Sequence, residues 1–182
     1  MADLTELEAC VLGLIWSEGP CTPYRVQQIM KSSPSPHWSG SAGAIYPVFE
    51  RLEGGGLVRA RTRMQGKRES RAFQTTASGL RVLRSWIGPP VSEWAGDLPI
   101  DPLRTRVRFL GALSVARQRA FLHDAIAILE SKLKDVQTDC RELKKSEDPF
   151  PYTMARGAIH VTRARIKWLA EIEAGLDEGN GE

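Results

Sequence analysis

The sequence predicts a mainly α-helical protein carrying one small β-hairpin wing near its N-terminal end, followed by a wholly helical region. Three observations carry that expectation. Apolar residues recur at spacings of three and four through most of the 182 residues. The period drops to two only across Leu57–Thr75, where arginines alternate with small or apolar residues. A proline-rich stretch, Gly88-Pro89-Pro90 to Pro99 and Pro102, interrupts the helical pattern near the middle. The expected division is a first domain at 1–87, a linker at 88–103, a helical region at 104–177 and a flexible tail at 178–182.

Leu4, Leu7, Val11 and Leu14 form the stripe of a first helix. Thr5 followed by Glu8 writes a capping box at its start, and Ser17-Glu18-Gly19-Pro20 stops it. Thr22 is placed to cap a second helix, about Pro23 to Lys31, with Pro23 at the first position, where a missing N–H costs nothing. It would bury Tyr24 or Val26, then Ile29 and Met30. After the loop Ser32–Pro36, a third helix runs to Leu52 with Ile45, Val48, Phe49 and Leu52 on one face, and Gly54-Gly55-Gly56 ends it. Leu57–Arg63 and Ser70–Thr75 read as two strands joined by the turn Met64–Lys67. Thr76 caps a fourth helix bearing Leu80, Leu83 and Ile87. Three helices, a hairpin and a helix are the order of a winged helix-turn-helix, whose third helix is the usual groove reader.

Beyond the linker, Leu122, Ile126, Leu129, Leu133, Val136, Cys140 and Leu143 keep four-three spacing, a coiled-coil seam. Asp148-Pro149-Phe150-Pro151 breaks it, and a last helix carries Ile159, Thr162, Ile166, Leu169, Ile172 and Leu176. The seam could pack within one chain. Its length, and the small size of the region, favour a seam between two copies, which would set two reading heads about one DNA turn apart.

Charge is distributed unevenly. The whole chain is only +3, yet residues 56–71 hold six cations against Glu69. A concentrated basic segment on a near-neutral protein points to a polyanion contacted at one place. No apolar run approaches the roughly 20 residues of a membrane span. The acidic start, Met1 to Glu6, is unlike a secretion leader, and Cys10, Cys21 and Cys140 are too few for a disulfide framework, so a cytoplasmic location is expected.

The segment Ala44-Ile45-Tyr46-Pro47, with Arg51-Leu52-Glu53 and Gly56-Leu57-Val58, resembles the PadR family of bacterial transcriptional regulators. Leu4–Glu8 with Leu12-Gly13-Leu14, and Gly66-Lys67-Arg68 to Thr76-Ala77-Ser78-Gly79, are similar to that family's first helix and its wing with the following helix. Asp101–Leu110 resembles the opening of the C-terminal region of AphA-like virulence activators. The resemblance implies a homodimeric DNA-binding regulator, usually a repressor. Some members release DNA on binding a phenolic acid or a hydrophobic drug.

The residues expected to meet DNA are Ser39, Ser41, Tyr46, Pro47 and Arg51 on or beside the reading helix, and Arg59, Arg61, Arg63, Lys67, Arg68 and Arg71 on the hairpin. Tyr46 falls off the apolar face, leaving its hydroxyl for a phosphate oxygen. If the regular helix begins at Tyr46, Pro47 sits harmlessly in its first turn. The reading helix offers Ser39, Ser41, Tyr46 and Glu50 but no Arg, Lys, Asn or Gln near its start, so discrimination is expected from the wing, water or DNA shape. Trp16, Trp86, Trp94 and Trp168 are expected as core or interface anchors. His37, His123 and His160 have no partners at metal-ligand spacing, and no nucleophile–base set or phosphate loop occurs, so neither a metal, a cofactor nor an enzyme is expected. Two other readings stand beside the regulator: a winged helix kept as a protein-interaction module, and a dimer that mainly senses a small molecule.

Overall fold

The computed structural model describes residues 4–32, 41–65 and 68–178; side chains are described for the same residues except 32, 42, 63–65, 68, 69, 177 and 178. The chain divides into two compact units, Met1–Asp97 and Leu98–Glu182.

In the first unit, α1 spans Glu6–Glu18. Its capping box forms: the Glu8 amide donates to Thr5 Oγ1 at 3.3 Å and the Thr5 amide to the Glu8 carboxylate at 2.9 Å. Gly19, at φ 72°, ends it in a conformation that favours glycine. The stripe buried is Ala9, Val11, Leu12 and Ile15, whereas Leu4, Leu7 and Leu14 are only partly covered. The expected stripe is turned partly outward because α1 is apolar around most of its circumference, and spacing alone does not choose among its faces.

Helix α2 (Pro23–Ser32) starts under Thr22, whose hydroxyl accepts the Arg25 amide at 3.2 Å. It buries Val26, Gln27 and Met30 and turns Tyr24 outward. Helix α3 (Ala42–Gly54) buries Ile45, Val48, Phe49 and Leu52, as the spacing predicts. It begins at Ala42 and not at Tyr46, so Pro47 is interior, its ring exposed. Lacking an N–H, Pro47 leaves the Gly43 carbonyl without its usual donor.

Strands β1 (Val58–Gln65) and β2 (Arg68–Thr75) pair antiparallel from Val58↔Thr75 to Gln65↔Arg68. Cys21 adds a short third rung: its amide donates to the Phe73 carbonyl at 3.1 Å and its carbonyl receives the Phe73 amide at 2.8 Å. That rung ties the chain between α1 and α2 to the base of the hairpin. Burial, with Glu18 adding and Arg25 opposing, pushes the Cys21 thiol up to about 11, which keeps it protonated and inert. Phe73 meets Phe49 edge to face, centroids 4.8 Å apart at 65°, and so clamps the hairpin to α3. Helix α4 (Ala77–Ile87) closes the unit, with Leu83 buried and Ile87 exposed.

The second unit holds α5 (Pro102–Val107), α6 (Val115–Leu143) and α7 (Pro149–Glu178). The expected linker runs to 103, but Asp101, Pro102 and Leu103 belong to this unit. Asp101 caps α5 by accepting the Leu103 amide at 2.9 Å and receives Arg165 of α7 at 2.7 Å. Residues 91–100 are exposed throughout.

The seam is used differently from expectation. Leu122, Leu129, Val136 and Cys140 are buried within the single chain, and Ile126, Leu133 and Leu143 are partly covered. A turn at Lys144–Asp148 folds α7 back along α6, and Leu122, Ala125 and Leu129 cluster with Leu110 and Leu169. Four of the seven seam residues therefore face the inside of a helical hairpin, while Ile126, Leu133 and Leu143 keep part of their surface. Of the four tryptophans expected as core or interface anchors, Trp168 packs beside a core, whereas Trp16, Trp86 and Trp94 are exposed and so are not core residues. Trp86 is held at the surface by its indole N–H, which donates to Glu6 at 3.0 Å.

Asp101 gives a pH-dependent prediction. Burial raises its pKa, but the Leu103 amide, Arg165 and the Arg104 amide together outweigh that and hold it below the ordinary value of 3.8. A lowered folded value means the stabilisation is complete above the unfolded pKa and is lost as pH falls through the folded one. Asp101→Asn keeps a cap but loses the charged pair, so it should cost about 1.5–3 kcal/mol near pH 7. In urea unfolding the gap between variant and parent should shrink below pH 4, and a gap constant with pH would remove Arg165 as its source.

Candidate nucleic-acid interface

Helix α3 turns a narrow face outward. Gly43, Tyr46, Pro47, Glu50 and Gly54 follow each other at helical spacing and all are exposed. Ser41 stands at the N-cap, but its side chain makes no capping bond; its carbonyl takes the Ala44 and Ile45 amides at 3.0 and 3.1 Å. The Ser41 hydroxyl is thus not spent on the helix. Tyr46 is half exposed, as its place off the apolar face predicts.

The hairpin splits its cations between two faces. Arg59 and Arg61 alternate along β1, share one face and are exposed, with Arg59 touching Gln74 at 3.5 Å. Arg71 pairs in register with Thr62 and so belongs to the opposite face, that of Phe73. There it lies 5.2 Å over the Phe73 ring and sends one nitrogen to both oxygens of Glu53 at 2.8 Å. Arg51 does not point along the reading face either. Its Nε donates to Glu8 of α1 at 2.6 Å, and this bond, with the Thr5 amide, holds the Glu8 carboxyl below the usual range. Arg51 and Arg71 are therefore neutralised within the protein, whereas Arg59 and Arg61 keep their charge for a partner. Ser39 and Lys67 lie outside the described residues, as do the side chains of Arg63 and Arg68.

A groove of about 450 Å³ opens between the start of α2, the middle of α3 and β2, walled by Tyr24, Tyr46, Phe49 and Phe73 with Glu50, Glu53 and Arg71. Tyr24, a core candidate by its spacing, stands here at 62% exposure, beside the reading helix. Among the described residues no group of His, Cys, Asp and Glu could hold a metal, and no helix is long and apolar enough to cross a membrane.

Residues 11–85 match the PadR-like family of transcriptional regulators, and residues 101–177 match the virulence activator alpha C-terminal family. The negative transcriptional regulator PadR of Bacillus subtilis (strain 168) is 25% identical over 183 residues, 94% of this chain and 98% of that protein. The structure is similar to Bacillus subtilis PadR in complex with operator DNA, with a TM-score of 0.81 at 25% identity over 95% of this chain and 98% of the other. It is also similar to the same regulator in complex with p-coumaric acid, at TM-score 0.74 and 23% identity over 94% and 95% of the chains. The Vibrio cholerae virulence activator AphA shares the fold at TM-score 0.66 and 17% identity over 95% and 99%. One family thus accounts for the N-terminal unit and another for the helical half: residues 11–85 form a domain of the PadR-like transcriptional regulator type, and residues 101–177 one of the virulence activator alpha C-terminal type.

Proposed function

We propose that the protein is a DNA-binding transcriptional repressor that works as a homodimer in the cytoplasm and catalyses no reaction. One observation carries the reading: the likeness to an operator-bound repressor runs over nearly the whole of both chains. The free cations of β1 and the outward face of α3 give it a physical basis. In this reading α3 enters the major groove, with Ser41, Tyr46 and Pro47 nearest the bases and backbone. Arg59, Arg61, Arg63, Lys67 and Arg68 hold flanking phosphates. Arg51 and Arg71 reach DNA only by exchanging Glu8 and Glu53 for phosphate.

Since Leu122, Leu129, Val136 and Cys140 are buried within the chain, a second copy would meet the partly covered Ile126, Leu133 and Leu143 of the seam or other residues. Phe150, Met154 and Val161 make an exposed apolar stripe along α7, opposite the inward Ala155, Ile159 and Leu169, and they are the better candidates for a dimer contact. A phenolic effector is proposed on the strength of the p-coumaric acid complex of the Bacillus relative. The interaction-module reading is not favoured, because its support is the lack of long base-reading side chains and the relative bound to operator shares this fold end to end.

The test is fluorescence anisotropy on the promoter DNA upstream of the protein's own gene, beside a scrambled duplex, across a salt series. Tight, sequence-dependent binding is expected, with log affinity falling linearly with log salt. Replacing both Arg59 and Arg61 with Ala removes four cations from the dimer and should flatten that slope by about 3.6, at about 0.9 for each phosphate no longer neutralised. Equal weak binding to both duplexes would overturn the reading.

A further inference from the structure

We infer that Glu50 is a base-reading residue, one that selects a cytosine in each half-site through the exocyclic amino group; this rests on the repressor reading above. The argument begins with charge. Three side chains within one turn of α3 are ionised, and two are matched: Arg51 by Glu8 and Glu53 by Arg71. Glu50 has no hydrogen-bond or ion-pair partner among the described residues. It sits two turns beyond Gly43 and one beyond Tyr46 on the exposed face. A bare carboxylate there is repelled by the phosphates on both sides of the groove. Docking is then favourable only where the groove floor supplies a hydrogen-bond donor to that carboxylate.

The base edges narrow the choice. In the major groove guanine shows acceptors only, and thymine an acceptor beside a methyl group. Adenine offers its N6 donor next to the N7 acceptor, which opposes a carboxylate lying close. Cytosine offers its N4 donor with no acceptor beside it on the same base. Tyr46 on the preceding turn can accept as well as donate, and Pro47 between them adds no donor of its own. The face is short of donors and rich in acceptors, which is the complement of cytosine.

Single base-pair variants of the operator, titrated with the parent protein, Glu50→Ala and Glu50→Gln, test this. The parent should prefer C·G at one position per half-site by about tenfold. Glu50→Ala should reduce that preference below about twofold, leave the other positions unchanged and bind the scrambled duplex more tightly. Glu50→Gln should move the preference to A·T, whose N7 and N6 suit an amide. Since Glu50 is exposed, both variants should melt with the parent. A Glu50→Ala protein that keeps its preference at every position would overturn the inference and leave the repressor reading standing. A parent that does not distinguish operator from scrambled DNA would overturn both.

Discussion

Gly79→Ala should unfold the reading head at a denaturant concentration well below the parent's and leave the helical unit's transition in place. Thr76 caps α4 by accepting the Gly79 amide at 3.0 Å, and its hydroxyl lies 2.8 Å from the Gly56 carbonyl oxygen and 3.1 Å from that of Leu57. The Thr76 amide also donates to the Leu57 carbonyl at 3.0 Å. These bonds draw the first turn of α4 down onto the chain that enters β1. A methyl group on Gly79 would overlap the Leu57 carbonyl oxygen and stand 2.9 Å from its carbon. Backbone atoms held by two hydrogen bonds cannot swing aside as a side chain would. Either α4 lifts and loses its cap, or Leu57 moves and takes the first rung of the hairpin with it. The cost should be about 3 kcal/mol or more, read as the shift of the first transition in urea with the second as internal control. An unchanged first transition would mean that α4 does not approach Leu57 as described.

Leu169→Ala should have a comparable effect on the other unit. Leu169 is fully buried in the cluster with Leu110, Leu122, Ala125 and Leu129. Truncation removes three carbons from a closed hairpin core whose long helices cannot collapse around the gap, at a cost of about 2–5 kcal/mol. Leu122→Ala should behave alike. Because both residues are covered within one chain, the dissociation constant between copies, measured by sedimentation on the folded protein, should stay within about threefold of the parent's. A marked weakening of that association with little loss of unfolding stability would restore the seam to the surface between copies.

These two positions show where the sequence is legible and where it is not. Both ends of α1 can be read because they depend on local chemistry, Thr5 with Glu8 at one end and Gly19 at the other. The apolar face of α3 can be read because a polar and glycine-rich outer face leaves one choice of side to bury. The seam is legible as a stripe, but a stripe does not name its partner. An apolar ridge has the same spacing whether a neighbour or a second copy covers it, and what the spacing does not show is that the turn at Lys144–Asp148 lays α7 along α6. Arg71 is legible as a cation of the hairpin, yet its face depends on parity across the turn, and Arg63↔Ser70 pairing places it with Thr62 and Phe73. The constraint on Gly79 is invisible in the sequence, since it comes from a carbonyl 22 positions away in the chain.

The pairings of Arg51 with Glu8 and of Arg71 with Glu53 alter what a salt titration would count. An arginine that comes to a phosphate bare lets the nucleic acid release its counterion outright. One that must first leave a carboxylate acts as an ion-exchange site: the phosphate sheds a cation and the abandoned carboxylate gathers one. The slope against salt would then tally only Arg59, Arg61 and the other unpaired cations, and would understate the number of phosphates held. The same exchange makes the reading head a weaker attractant for polyanions at large than its arginine content implies. Its full charge is shown only to a backbone shaped to take the place of both carboxylates together.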